Sequence, residues 1–164
     1  MPAFTSPHLH VVQTDTGWLY ATRPNATAVV AVLAVNDDRE VLLVRQHRQP
    51  LGTDLLELPA GLVGDDGDPD EAALTAAKRE LEEETGHTAK HWTELGRVAS
   101  SPGLTDEVVT LFLAQGLTRT GDGGGIAGED ITVVRRPLAD LPGEGDQPLD
   151  AKLLAALTLA RRHL

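Results

Sequence analysis

The sequence predicts an α/β or α+β domain, and three observations carry that reading. Short runs rich in β-branched residues alternate with turn residues through the first third of the chain. One strongly acidic helix stands near the middle, and an alanine- and leucine-rich amphipathic helix closes the chain. At 164 residues the chain is long enough for one full core and too short for two comfortable domains.

Taken in order, His8 to Gln13 and Trp18 to Ala21 predict a small N-terminal β-hairpin turning at Asp15-Thr16-Gly17. Thr27 to Val35 and Glu40 to Gln46 predict a second hairpin, about Asn36-Asp37-Asp38. Leu56 to Leu62 reads as a strand that breaks at Pro59 and turns at Gly61. A loop from Val63 to Asp68 follows. Asp68 then has the chemistry of an N-cap, Pro69 tolerates the missing donor, Asp70 suits the positive helix end, and Glu71 completes a capping box. Gly86 is placed to end that helix. Trp92 to Ser100, Val108 to Leu117 and Ile131 to Arg135 are expected strands. Between the last two, Thr120 to Gly128 holds five glycines and is expected to be a mobile loop. Asp150 to His163 predicts the closing helix. The organisation is therefore an extension at residues 1–27 and a single globular unit at 28–164.

Composition excludes several functions. A formal net charge of −11 argues against nucleic-acid backbones and anionic membranes as partners. No apolar run approaches the length of a membrane span, and no N-terminal export signal is read, so a soluble, cytoplasmic protein is expected. The absence of cysteine removes disulfides, thiolate catalysis and zinc–sulfur sites.

The chemistry concentrates in Arg79-Glu80-Leu81-Glu82-Glu83-Glu84-Thr85-Gly86. On a helix, Glu80, Glu83 and Glu84 fall within about 100° of one another, while Leu81 points away into a core and Glu82 toward solvent. Like charges at these spacings repel, so the arrangement points to a bound hard cation such as magnesium or manganese. A solvated acidic face is the bland alternative.

Preceded by Leu58-Pro59-Ala60-Gly61, this segment resembles the Nudix hydrolase box, Gly-x5-Glu-x7-Arg-Glu-U-x-Glu-Glu-x-Gly-U with U aliphatic. Arg79, Glu80, Leu81, Glu83, Glu84 and Gly86 match. His87 stands in the place of the last aliphatic residue, and the spacing from Gly61 to Arg79 is longer than the pattern by about one helical turn. Glu71 keeps the x7 spacing to Arg79, yet on a helix it would stand half a turn off the metal face. It is therefore either a cap or a partner of Arg79. The resemblance implies a mixed sheet sandwiched between helices and metal-dependent hydrolysis of a nucleoside diphosphate linked to another group. It also implies Mg²⁺ or Mn²⁺ held by Glu80, Glu83, Glu84 and the Ala60 carbonyl, with Glu83 also acting in catalysis and Arg79 orienting a glutamate.

Features outside the box resemble the ADP-ribose pyrophosphatase branch. Leu43-Val44-Arg45-Gln46-His47-Arg48 followed by Leu55 to Gly61 places Arg48 and Glu57 at the substrate, with the arginine on the diphosphate or the terminal ribose. Ser101-Pro102-Gly103 matches the branch's proline-glycine element, implying Pro102 and Gly103 at the substrate; by itself it is an ordinary turn. Glu129, with Asp130 second, is the expected general base on the glycine-rich loop. The N-terminal extension is expected to help build a homodimer, with Trp18 and Tyr20 suited to stacking on adenine. The implied products from ADP-ribose are AMP and ribose 5-phosphate.

Overall fold

The computed structural model describes residues 2–64, 68–125, 130–141 and 148–164. Two sheets are present. The smaller is antiparallel and three-stranded, built from β1 (Pro2–Thr5), β2 (His10–Gln13) and β3 (Leu19–Thr22). The expected hairpin is thus β2 and β3. The extra strand β1 arises because Ser6 closes a tight turn, donating its N–H to the Leu9 carbonyl at 2.9 Å and returning the chain alongside β2.

The larger sheet has seven strands: β4 (Ala28–Val35), β5 (Glu40–Arg48), β6 (Thr53–Glu57), β7 (Ala60–Val63), β8 (His87–Ala99), β9 (Val108–Arg119) and β10 (Ile131–Pro137). Its path runs β10-β5-β4-β9-β8, with β6 paired to β5 and β7 to β4; β4 and β9 run parallel and the other pairs antiparallel. Two helices, α1 (Ala73–Thr85) and α2 (Ala151–Ala160), cover opposite faces. Along β4, Val30, Val32 and Ala34 pack with Ala76, Ala77 and Leu81 of α1. Ala31, Leu33 and Val35 pack with Leu153, Ala156 and Ala160 of α2. A strand covered on both faces has no polar side to show, which is why β4 reads as an unbroken apolar run. This is the mixed sheet sandwiched between helices that the family resemblance implies.

Three local expectations are corrected. Gly61 does not turn the chain; Pro59 ends β6, and Ala60-Gly61 open β7, paired with Ala31 and Val30. Nor does α1 start at Asp68. Its N-cap is Ala72, with no side-chain hydrogen bond. Asp68 instead closes a turn, accepting the Asp70 N–H at 3.1 Å on its side chain and the Glu71 N–H at 3.0 Å on its carbonyl. The capping box is absent because the Glu71 carboxylate is engaged elsewhere. Third, the first half of the glycine-rich segment is pinned to the end of α1. Gly124 and Gly125 donate their N–H groups to the Glu84 and Glu83 carbonyls at 2.9 and 3.0 Å. Gly86, at φ 66°, and Gly123 pack backbone to backbone; a Cβ on Gly86 would stand 2.4 Å from the Gly121 carbonyl oxygen. Only glycines permit that approach.

Candidate active site

β7 and α1 meet at Gly61. A Cβ on that residue would lie 2.0 Å from the Glu80 carboxylate, so the strand backbone and this side chain touch only because glycine is there. One turn further along α1, Glu84 accepts the Ala60 N–H on Oε2 at 3.0 Å. Two carboxylates four residues apart are thus laid against the first two residues of a strand. Both are buried.

Arg79 ties the surrounding pieces together. It donates through Nη1 to Glu80 Oε1 at 2.7 Å and to Glu83 Oε2 at 3.3 Å, and through Nη2 to the Leu62 carbonyl at 3.0 Å. It also donates through Nε to Glu71 Oε1 at 3.3 Å, and Glu71 Oε2 accepts the Gly64 N–H at 2.9 Å. Of the two roles open to Glu71, the structure shows pairing with Arg79; Glu71 precedes the helix, so helical periodicity does not govern where it points. Burial alone would disfavour the Arg79 charge, but Glu71 and Glu80 outweigh it and hold the guanidinium well above its ordinary pKa. Burial would also raise Glu71; the Gly64 N–H and Arg79 prevail and hold its carboxyl below the usual range.

A second charged group lines the same cavity. Glu57, 2% exposed at the end of β6, accepts from Arg48 Nε on Oε1 and from Arg48 Nη2 on Oε2 at 2.9 Å. Its Oε2 also accepts from Lys152 Nζ at 3.2 Å, and that ammonium donates to Asp150 Oδ1 at 2.9 Å. Burial would raise the Glu57 pKa, but Arg48 and Lys152 hold it below the ordinary value. Lys152, which burial would lower, is raised by Asp150 and Glu57. Asp150 doubles as the N-cap of α2, accepting the Lys152 N–H at 3.0 Å.

Arg48, Glu57, Ala60, Arg79, Glu80, Glu83 and Glu84, singled out in the sequence, all line one cavity of about 570 Å³. Trp18, Pro102 and Gly103 do not line it; all three are exposed, Trp18 at 61%. Glu129 lies outside the described residues. Asp130, the second choice, is exposed just before β10. Sequence reasoning missed Lys152, Arg23 and Glu107, which also line the cavity, the last two paired at 3.3 Å. Glu107 was within reach, since it follows Ser101-Pro102-Gly103 by only a few residues; nothing local marked Lys152 or Arg23. His87, in the place of an aliphatic residue, is buried with Nδ1 2.7 Å from the Thr85 carbonyl, which satisfies its polar edge.

The donor set is chemically suited to a hard divalent cation, with Glu80 and Glu84 laid against the Ala60-Gly61 backbone and Glu83 lining the same cavity. Among the described residues, no three carboxylates converge on one point, and the Arg79 Nη1 bridges Glu80 and Glu83.

A two-face sheet sandwich with a carboxylate-bearing helix braced on a glycine strand defines a recognisable class. Residues 24–157 match the NUDIX domain family model, and the chain belongs to the Nudix family. It is similar to the ADP-ribose pyrophosphatase of Bacillus subtilis (strain 168), 46% identical over 89 residues, or 54% of this chain and 46% of that protein. It is also similar to the ADP-ribose pyrophosphatase of Mycobacterium tuberculosis, 44% identical over 92 residues, or 56% of this chain and 43% of the relative. The chain therefore spans less than half the length of these two relatives. The ADP-sugar pyrophosphatase of Mus musculus is 37% identical over 158 residues, covering 85% of this chain and 67% of the relative. A crystal structure of an ADP compounds hydrolase superposes with a TM-score of 0.77 at 25% identity, covering 100% of this chain and 90% of that one.

Proposed function

We propose that this chain hydrolyses the pyrophosphate bond of ADP-ribose or a related nucleoside diphosphate sugar, with magnesium or manganese as cofactor, giving AMP and ribose 5-phosphate from ADP-ribose. The observation that carries the proposal is the single cavity bringing the α1 carboxylates together with the Arg48, Glu57 and Lys152 group. Its volume is that of a small-molecule site. The names of the bacterial relatives support the choice of substrate.

Glu80, Glu83 and Glu84, with the Ala60 carbonyl, would hold the metal, which when bound polarises phosphoryl oxygens and acidifies water. Arg79 fixes the rotamers of Glu80 and Glu83, and Glu71 fixes Arg79. Arg48 uses its Nε donor and one Nη2 donor on Glu57, with its other N–H groups directed to the diphosphate. Glu129 is the proposed base that takes the proton of the attacking water, with Asp130 second. Pro102 and Gly103 are kept as substrate contacts on the strength of the family resemblance alone.

We also propose a homodimer through the N-terminal sheet, where Phe4, Trp18 and Leu19 are 57%, 61% and 51% exposed, with Trp18 contributing to the adenine site of the assembled dimer. Among the described residues, no helix is long and apolar enough to cross a membrane. A cytoplasmic location is part of the proposal and rests on the cysteine-free composition.

A panel of ADP-ribose, other sugar nucleotides and a dinucleoside polyphosphate, run with Mg²⁺ in ¹⁸O-water and read by mass spectrometry, tests the function. AMP and ribose 5-phosphate, one of them labelled, are expected. Tight binding of ADP-ribose with no turnover would overturn it.

A further inference from the structure

We propose that Lys152 is a positioning residue for substrate affinity, acting through Glu57 on Arg48; this rests on the reading of the cavity as the seat of a nucleoside diphosphate. The observation is a shared oxygen. Glu57 Oε2 accepts from both Arg48 Nη2 at 2.9 Å and Lys152 Nζ at 3.2 Å, and Lys152 is itself held by Asp150 Oδ1 at 2.9 Å. The four groups form a chain from the N-terminus of α2 to the cavity, ordered Asp150, Lys152, Glu57, Arg48.

Exposure along that chain shows which way it acts. The side chains of Asp150 and Glu57 are 5% and 3% exposed, that of Lys152 22%, and that of Arg48 41%. Arg48, Glu57 and Lys152 all line the cavity, and Arg48 is the most exposed of them. A guanidinium gripped along one edge has its plane set by the carboxylate that grips it, and its remaining donors are aimed accordingly. That carboxylate is in turn kept from rotating by the ammonium on its second oxygen.

Charge supplies the second reason. When an anionic diphosphate draws on the Arg48 charge, a carboxylate as buried as Glu57 would lose part of its compensation, and an uncompensated buried charge is strongly unfavourable. Lys152 keeps Glu57 paired throughout. Two cations and two carboxylates make the group neutral before substrate arrives, so Arg48 can meet the ligand without the cluster rearranging. Nothing in α2's local sequence marks this role, since its partner Glu57 lies 95 positions away.

The test is a double-mutant cycle on the intact chain with ADP-ribose and excess Mg²⁺. Lys152→Met is expected to raise KM about tenfold while kcat changes less than threefold, and Lys152→Arg to restore most of the affinity. In an Arg48→Gln background, Lys152→Met should raise KM no further. Additive effects would mean that Lys152 meets the substrate by itself, and parallel losses of kcat and thermal stability in both backgrounds would mean a structural role; either overturns the inference. Should Lys152→Met not fold, Lys152→Gln removes the charge while keeping a polar side chain beside Glu57, and an unchanged KM there overturns it equally. A wild-type chain that turns over no nucleoside diphosphate sugar fails the functional proposal instead, so the two failures are distinct.

Discussion

The two charged clusters of the cavity hold their charge in opposite ways. On the α1 side, Glu71, Glu80 and Glu83 share the Arg79 guanidinium and Glu84 is held by the Ala60 N–H, so acidic side chains outnumber the cation that pairs with them. On the α2 side, Arg48 and Lys152 balance Glu57 and Asp150 one for one. The balanced cluster can keep its geometry unaided. The unbalanced one favours added positive charge, an imbalance that a divalent cation can offset.

Breaking the acidic cluster has the largest expected effect. Glu83→Gln or Glu84→Gln should lower kcat by roughly 10²-fold or more with folding intact, measured on ADP-ribose in excess Mg²⁺; near-normal rates in both variants would remove the functional asymmetry between the clusters. Next comes Gly61→Ala, which pushes a methyl group into the Glu80 carboxylate. A loss of about 3 kcal/mol in denaturant unfolding is expected, the upper end for overpacking, along with weakened Mn²⁺ binding by calorimetry.

Glu57→Gln probes the balanced cluster and should remove about 2 kcal/mol at neutral pH, moderated by the exposure of Arg48. Because the folded-state pKa of Glu57 is depressed, its stabilisation is fully present above the unfolded value near 4.3 and is lost as pH falls through the lower folded value. The gap between wild type and Glu57→Gln in metal-free unfolding free energy should therefore narrow below about pH 4.3. A gap that stays constant through that range would show that Glu57 is not held by charge. The smallest effect belongs to Trp18→Ser, which should change monomer stability by less than about 0.5 kcal/mol because the ring is exposed. A monomeric elution profile for this variant, beside a dimeric wild type, would locate the subunit contact on the N-terminal sheet.

The same contrast explains how much the sequence disclosed. Glu80, Glu83 and Glu84 lie within about one helical turn, so their placement along one cavity wall follows from periodicity alone. The β4–β5 hairpin and the closing helix were legible for the same local reason. Arg48, Glu57 and Lys152 meet only through the pairing of Arg48 with Thr53 across β5 and β6 and the docking of α2 on the far sheet face. No window of the chain contains both facts. The start of α1 was misplaced because Asp68-Pro69-Asp70-Glu71 carries every capping signal, while Arg79, eight residues on, competes for the Glu71 carboxylate and wins. The strand β1 was invisible because the turn that makes it rests on one serine.

The parallel pairing of β4 with β9 also bears on the order of assembly. Val29 pairs with Val109, eighty positions away, and β5, β6, β7, α1 and β8 all lie inside the loop that this contact closes. Loop closure must precede any return from the central contact, so topology of this kind is slow to nucleate. During synthesis, a nascent chain that ends before β9 exposes one full edge of β4 and leaves α1 without its Phe112 and Ala114 floor. The acidic helix is translated early and becomes a working part only late, once a strand some thirty residues downstream has entered the sheet.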